Sequence, residues 1–201
     1  MVTLTEKEAE NFLEKEGFNV VKRSLIKSKK ELNNIKLNFP WVMKISSRHI
    51  VHKAKFGGTR LNIKSFKEAE KAFDELCQIE NCEGVLIQEM LNGKELILGL
   101  KKTPEFGLVI MFGKGCSNVE KERDIAFRIV PIDKEETKKL IKEIKFYKLL
   151  KNNIDEDSLL EIITRLSNLA ERYPQIEELD INPFIINSKE AIIVDARIVF
   201  K

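Results

Sequence analysis

The segment IEELDINPFIINSKEAIIVDARIVF, Ile176 to Phe200, constrains the fold more than any other stretch. Two apolar runs flank a polar turn at Asn187–Glu190, which reads as a β-hairpin. Both runs are apolar on both faces, so the hairpin must lie inside a sheet that helices cover. Helices are signalled by "TEKE" at Thr5, "SKKE" at Ser28 and "SFKE" at Ser65, each a Ser/Thr cap with Glu three residues on. The first helix buries Ala9, Phe12 and Leu13 and stops near Gly17, and the third carries Phe66, Ala69, Phe73 and Leu76 at spacings of three and four. "DKEETKKLIKEIKFYKLL" reads as one helix. "DEDSLLEIITRLSNLAERYP" reads as another, with Leu160, Ile163, Leu166 and Ala170 on one face and Pro174 closing it.

Between these helices, "FNVVKR" and "WVMKIS" are predicted strands of a βαβ-like part. "EGVLIQEM", "KELILGLKK" and "GLVIMFG" are predicted to form an antiparallel meander, followed by the polar loop "KGCSNVEKERD" and a short strand "IAFRIVP". The expected class is α+β: one domain over residues 1–201, with an N-terminal lobe at 1–80 and a C-terminal lobe at 81–201 around a cleft. The boundary is expected around Ile79 to Val85, where the βαβ-like part gives way to the meander.

The 201 residues are 43% hydrophobic and 33% charged, which suits a packed core. The net charge of +3 is the remainder of many charges of both signs, so a broad nucleic-acid surface is not expected and any anion site is local. The Lys/Glu/Ile-rich make-up resembles heat-adapted proteins. No apolar run approaches the roughly 20 residues that span a bilayer, and "MVTLTEKEAENF" has no apolar signal core. A cytoplasmic chain without membrane contact is expected. Cys77, Cys82 and Cys116 read as reduced thiols, and Cys77 and Cys82 lack the second pair of ligands a zinc site needs.

Chemistry is concentrated in a few places. Asp180 and Asn182 stand two apart on one strand and share a face. With the turn at Asn187–Glu190, Asn182 and Asp195 fall nearly opposite each other across the hairpin. Three oxygen-bearing groups on apolar strands suit a magnesium ion; capping turns or pairing with Arg197 and Lys189 is the plainer alternative. Lys44 follows a strand of buried type and needs an anionic partner, either a carboxylate or a phosphate. Directly after it comes "RHIVHKAKFGGTRLNI", which holds the only two histidines, the cations Lys53, Lys55 and Arg60, and the Gly57–Gly58 pair. Glycine lets backbone N–H groups approach an anion closely, so the loop reads as a flap over phosphates. His52 is suited to donate to phosphate or to accept a phosphoryl group, whereas His49 reads as a local loop residue. Glu89 and Glu95 flank a turn, where they are either adenine and ribose contacts or ordinary surface glutamates.

The ordered set "WVMKISSRHIVHKAKFGG", "GVLIQEMLNGKELILGL", "PEFGLVIMFGKG", "DIAFRIVPID", "IEELDINPFII" and "VDARIV" resembles the ATP-grasp domain that forms the beta subunit of ADP-forming acyl-CoA synthetases, typified by archaeal acetate–CoA ligase. It is more distantly similar to the beta subunit of succinyl-CoA synthetase. The resemblance covers nearly the whole chain and implies an ATP-grasp fold, ATP/ADP with Mg2+ as cofactors, and phosphate transfer between acyl phosphate or phosphohistidine and ADP, giving acid, CoA and ATP. It implies Lys44 at the nucleotide phosphates, a closing loop around His52, Lys53, Gly57 and Gly58, an adenine-side hinge at Gln88, Glu89 and Met90, and Glu95 towards the ribose. Asn182 and Asp195 match the family's magnesium ligands, Asp180 matches the acidic position where a phosphohistidine docks, and His52 matches a relay histidine. The implied partner is an alpha subunit carrying the CoA-binding domain and the phosphorylated histidine, in a hetero-oligomer; without it the chain is expected to be inactive.

One departure stands out. Where the family reads like "FGLGG", this chain has "FGKGCSNVEKERD", with Lys114 and Cys116 replacing an apolar residue and a glycine, while Glu120, Asp124 and Arg128 are in place. Cys does not reach positive φ as cheaply as Gly. The departure motivates an alternative, a non-catalytic nucleotide-binding regulatory or scaffold subunit. A stand-alone ATP-grasp ligase is a third, with no acceptor-binding region to support it.

Overall fold

A computed structural model of the protein describes residues 1–49, 56–115, 124–151 and 153–201. By contact, the chain divides into a smaller unit, Thr5–Lys7 with Val21–Leu91, and a larger one, Met1–Leu4 and Glu8–Val20 with Asn92–Lys201. The division runs after Leu91, beyond the expected boundary near residue 80. The reason is that β5 (Gly84–Glu89) pairs with two strands of the smaller unit.

The smaller unit is a four-stranded sheet in the order β2 (Arg23–Ile26), β5, β3 (Trp41–Ser46), β4 (Thr59–Ile63). Every pair is antiparallel, so the βαβ-like reading gives way to an antiparallel sheet. "WVMKIS" is β3 as expected. The strand expected over "FNVVKR" lies further on, at Arg23–Ile26, and Val20 makes only an isolated bridge to Ile193. α2 (Phe66–Cys77) starts where Ser65 Oγ accepts the Glu68 N–H, and its Ala69, Phe73 and Leu76 pack into one core with Trp41, Met43, Val85 and Ile87. The capping box at Ser28 is present, but it opens a 3-10 helix, Lys29–Asn34.

The larger unit holds the order β1 (Val2–Thr3), β11 (Ala196–Phe200), β9 (Ile176–Ile186), β6 (Lys94–Thr103), β7 (Gly107–Lys114), β8 (Ile125–Ile129), with β10 (Ala191–Ile193) also on β9. The meander is therefore β6–β7–β8 and excludes β5. β9 lies between β11 and β6 as a central strand, and over Leu179–Asn182 its burial alternates, with Leu179 and Ile181 buried and Asp180 and Asn182 not. α1 (Glu6–Lys15) contributes Ala9 and Leu13 to this unit's core. α5 (Glu156–Arg172) contributes Leu159, Ile163, Leu166 and Leu169, each worth about 1.5–3 kcal/mol relative to exposure.

The long helix expected from Asp133 is broken. α3 (Lys134–Glu143) stops at Ile144, which is extended (φ −72°, ψ 136°), and α4 (Tyr147–Leu150) follows. The Asp124 carboxylate accepts the N–H groups of Lys145 and Phe146, each at 2.7 Å, and holds the chain in the break.

Candidate functional site

Lys44 lies on β3 between β4 and β5, and only 7% of it is exposed. Its Nζ donates to Glu6 Oε1 at 2.7 Å, with the two side chains 9% and 4% exposed. Gln88, also buried, places Nε2 at 3.4 Å from the same oxygen. One carboxylate on the first turn of α1 thus ties together two of the sequence-marked residues, Lys44 and Gln88. Of the two anions expected for Lys44, the carboxylate is present.

Glu6 was not singled out in the sequence, where it reads only as part of the first helix cap. Nothing local marks it, because its partner lies on a strand 38 residues away. Position at a helix N-terminus, where the macrodipole favours negative charge, is the one local reason for an acid there.

The remaining marked residues of the smaller unit are held differently. Glu89 Oε1 accepts the Asn38 backbone N–H at 2.9 Å and its side-chain amide at 3.1 Å. Met90 N–H donates to Pro40 O at 2.8 Å. The hinge segment Gln88–Met90 is therefore pinned on both sides, by α1 and by the turn before β3. Gly57 has φ +66°, the left-handed region that favours glycine. Gly58 is buried, and its carbonyl accepts the Ile45 N–H at 2.8 Å. Arg60, expected to add charge to the flap, is engaged with Glu75 at 2.8 Å and with Gly57 O at 2.6 Å. Glu83 accepts the Arg48 N–H at 3.0 Å, next to the exposed His49. His52, Lys53 and Lys55 lie outside the described residues, as do Cys116 and Glu120.

In the larger unit the hairpin register is the expected one: Ala191 pairs with Ile186, Ala196 with Ile181, and Asn187 N–H closes the turn onto Glu190 O at 3.1 Å. Asn182 N–H donates to Asp195 O at 3.1 Å, which sets the two residues directly across the hairpin. Asp180 stands opposite Gly99 on β6, where a Cβ would come 3.9 Å from its Oδ1. Asn182 is exposed, and Asp180 and Asp195 are half-buried. Arg197, one possible neutralising partner, pairs with Glu178 at 2.9 Å. Glu95 is exposed near the start of β6, across from Ile185, and its carbonyl accepts the Gly115 N–H at 2.9 Å.

An amide and a carboxylate facing each other at a solvent-reachable strand pair form an all-oxygen donor set. That set fits a hard cation that keeps part of its shell for water and phosphate oxygens. Among the described residues, no group of three or more His, Cys, Asp or Glu is placed to hold a metal ion. A cavity of about 590 Å³, lined by Glu16, Lys134, Asp157, Arg165 and Arg172 among others, holds none of the sequence-marked residues. No helix among the described residues is long and apolar enough to cross a membrane.

Comparison with known proteins places the chain in a family. The ATP-grasp domain family matches residues 2–200. The beta subunit of ADP-forming acetate–CoA ligase I from Pyrococcus furiosus is 36% identical over 211 residues, covering 98% of this chain and 91% of that one. ADP-forming acetate–CoA ligase II from Archaeoglobus fulgidus is also 36% identical, but the chain spans only 30% of its length. The dinucleotide-forming acetyl-coenzyme A synthetase 1 of Ca. Korarchaeum cryptofilum matches in its complex with coenzyme A, Ca-AMPCP and HgCl+ at TM-score 0.93 and 36% identity, covering 99% of this chain and 93% of that one. It also matches in its complex with coenzyme A and Mg-AMPPCP, where the phosphohistidine segment points towards the nucleotide-binding site, at TM-score 0.85 and 35% identity, with the same coverage. The chain belongs to the ATP-grasp family, among the beta-subunit chains of ADP-forming acetate–CoA ligases.

Proposed function

We propose that the chain is the nucleotide-binding beta subunit of an ADP-forming acyl-CoA synthetase, which passes a phosphoryl group between a phosphohistidine and ADP. In the full reaction, acyl-CoA, phosphate and ADP give acid, CoA and ATP. The observation that carries the reading is the hairpin register that sets Asn182 against Asp195, with Asp180 on the same strand as Asn182. A magnesium ion held by Asn182 and Asp195 would offset the charge of nucleotide phosphates. Lys44 supplies a compact positive charge, held in place by Glu6 at 2.7 Å. Gly57 and Gly58 offer backbone N–H groups to phosphate oxygens. Gln88, Glu89 and Met90 take the adenine side and Glu95 the ribose.

His52 is assigned the phosphoryl relay. Its neutral imidazole forms an N–P bond as the carrier histidine's N–P bond breaks, and then loses the group to the ADP β-phosphate oxygen. Asp180 steadies the incoming phosphohistidine. The carrier histidine and the CoA site are assigned to an alpha partner in a hetero-oligomer. The beta-subunit name of the Pyrococcus relative supports a partner, and the phosphohistidine segment pointing towards the nucleotide-binding site of the Korarchaeum enzyme supports a carrier histidine.

Titration calorimetry with ADP and ATP tests the reading. Magnesium-dependent heat with a Kd below about 1 mM, near −4 kcal/mol, is expected. No heat at millimolar nucleotide, with or without magnesium, overturns it. A non-catalytic regulatory subunit is favoured by Lys114, which stands where the related motif is apolar and lies 5.3 Å over the Phe146 ring. Nucleotide binding without phosphoryl transfer in the presence of an alpha partner would select that reading.

A further inference from the structure

Cys77 ends α2, and Cys82 stands in the short turn before β5. Their Sγ atoms are 3.7 Å apart, in contact across a five-residue separation. Cys77 is exposed and Cys82 half-buried. The turn that brings them together is built from the backbone: Ile79 N–H bonds to Leu76 O and Cys82 N–H to Ile79 O, each at 3.2 Å, while Asn81 takes φ +63°. Asn tolerates that left-handed conformation better than most residues. Among the described residues, no third or fourth soft ligand accompanies the sulfurs, so a metal is not what the pair is built for.

We propose that Cys77 and Cys82 are a thiol–disulfide site, oxidised to an intramolecular disulfide by exchange with a low-molecular-weight disulfide. The thiolate of one of the two cysteines attacks one sulfur of the small disulfide RSSR and expels RS⁻. The other thiol then gives up its proton, and its sulfur attacks the protein sulfur of the mixed disulfide and expels the second RS⁻. The balance is two protein thiols plus RSSR giving one protein disulfide plus two RSH; the protein loses two electrons and two protons, and RSSR gains them.

Partial desolvation, and then the neighbouring Cys82, pushes the Cys77 thiol up to about 11, although the residue is largely exposed. The site is fastened to the strand that carries Lys44. Residue 83, next in sequence, donates from its N–H to Ser46 O at 2.9 Å, and its carboxylate accepts the Arg48 N–H. Oxidation therefore stiffens the turn that anchors the chain where it leaves β3.

The test uses the full chain with Cys116→Ser, so that only the two thiols count. The protein is equilibrated with mixtures of reduced and oxidised glutathione, quenched with acid, and assayed by thiol titration and intact mass, once folded and once in urea. The fold raises the effective concentration of one thiol at the other, so the equilibrium constant for the intramolecular bond is expected to be at least about tenfold larger in the folded chain. The product should be lighter by two hydrogens, with no glutathione attached. An equal or smaller constant in the folded chain overturns the proposal, as does accumulation of glutathione adducts in its place. The outcome does not depend on nucleotide binding.

Discussion

Removing the Glu6 carboxylate should destabilise the smaller unit far more than removing a surface charge. With Glu6→Ala, the Lys44 ammonium stays on a strand where its side chain is 9% exposed and loses a partner at 2.7 Å. Breaking a buried ion pair from one side costs up to about 3–5 kcal/mol, because a charge in a poorly solvated site loses a compensating partner. An exposed pair is worth about 0–1 kcal/mol, so the burial decides which regime applies. At about 2–4 °C per kcal/mol for a chain of this size, the melting temperature should fall by about 6–20 °C. The single tryptophan provides the assay: Trp41 is fully buried on the same strand as Lys44, so its fluorescence reports this unit's unfolding. The double change Glu6→Leu/Lys44→Met should recover most of the loss, since apolar replacement of both partners is often neutral. A loss below about 1 kcal/mol for Glu6→Ala would show that the pair is solvated, and the argument for a fixed, charged Lys44 would go with it.

Asp195→Ala should leave the fold intact but abolish the magnesium dependence of nucleotide binding; calorimetry that still shows a magnesium requirement counts against the hairpin as the metal site. Asp124→Ala removes two charge-assisted acceptors from the N–H groups of Lys145 and Phe146. It should cost about 1.5–3 kcal/mol per bond at most, read by denaturant unfolding, and a change within about 0.5 kcal/mol would mean the break at Ile144 stands without it. Lys101, and then Arg197, hold the Glu178 carboxyl below its ordinary value of 4.5. Its contribution is therefore complete above pH 4.5 and drains as the pH falls through the lower folded value. Glu178→Gln should flatten the loss of stability on acidification below that point, and an unchanged acid slope would discount the triad.

What the sequence revealed follows from which interactions are local. β3 was legible to the residue because an apolar run bounded by polar turns needs no partner to be recognised. The hairpin turn at Asn187 was legible for the same reason. β5 is buried along nearly its whole length, which suits a central strand of either sheet, so periodicity did not say whether β3 or β6 was its neighbour. The break at Ile144 escaped because the segment keeps helical periodicity throughout, while the carboxylate that stabilises the break comes from Asp124, about twenty residues upstream. Glu6 escaped likewise, since a glutamate in a first helical turn is ordinary until Lys44 is found beside it.

In each unit a candidate residue lies where the local sequence breaks the rule of its own element. Lys44 puts a charge into a strand otherwise built for burial, and the structure answers with a buried carboxylate. Pro183 puts a residue without an N–H into β9, the strand with neighbours on both sides, where proline is least expected. Across from it the partner strand parts into β10 and β11 at Val194–Asp195, and the ladder survives there only as Val194 N–H to Pro183 O at 3.3 Å and Asn182 N–H to Asp195 O at 3.1 Å. An uninterrupted ladder would hold both strands to the regular pleat, with side chains alternating between the two faces. The interruption instead falls at Asn182 and Asp195, two side chains with oxygens that a hard cation could use. A departure from strand chemistry that serves stability would be expected at an edge, where the missing donor faces water. Its position in the middle of the sheet, beside Asn182 and Asp195, is the observation that supports the role proposed for that pair.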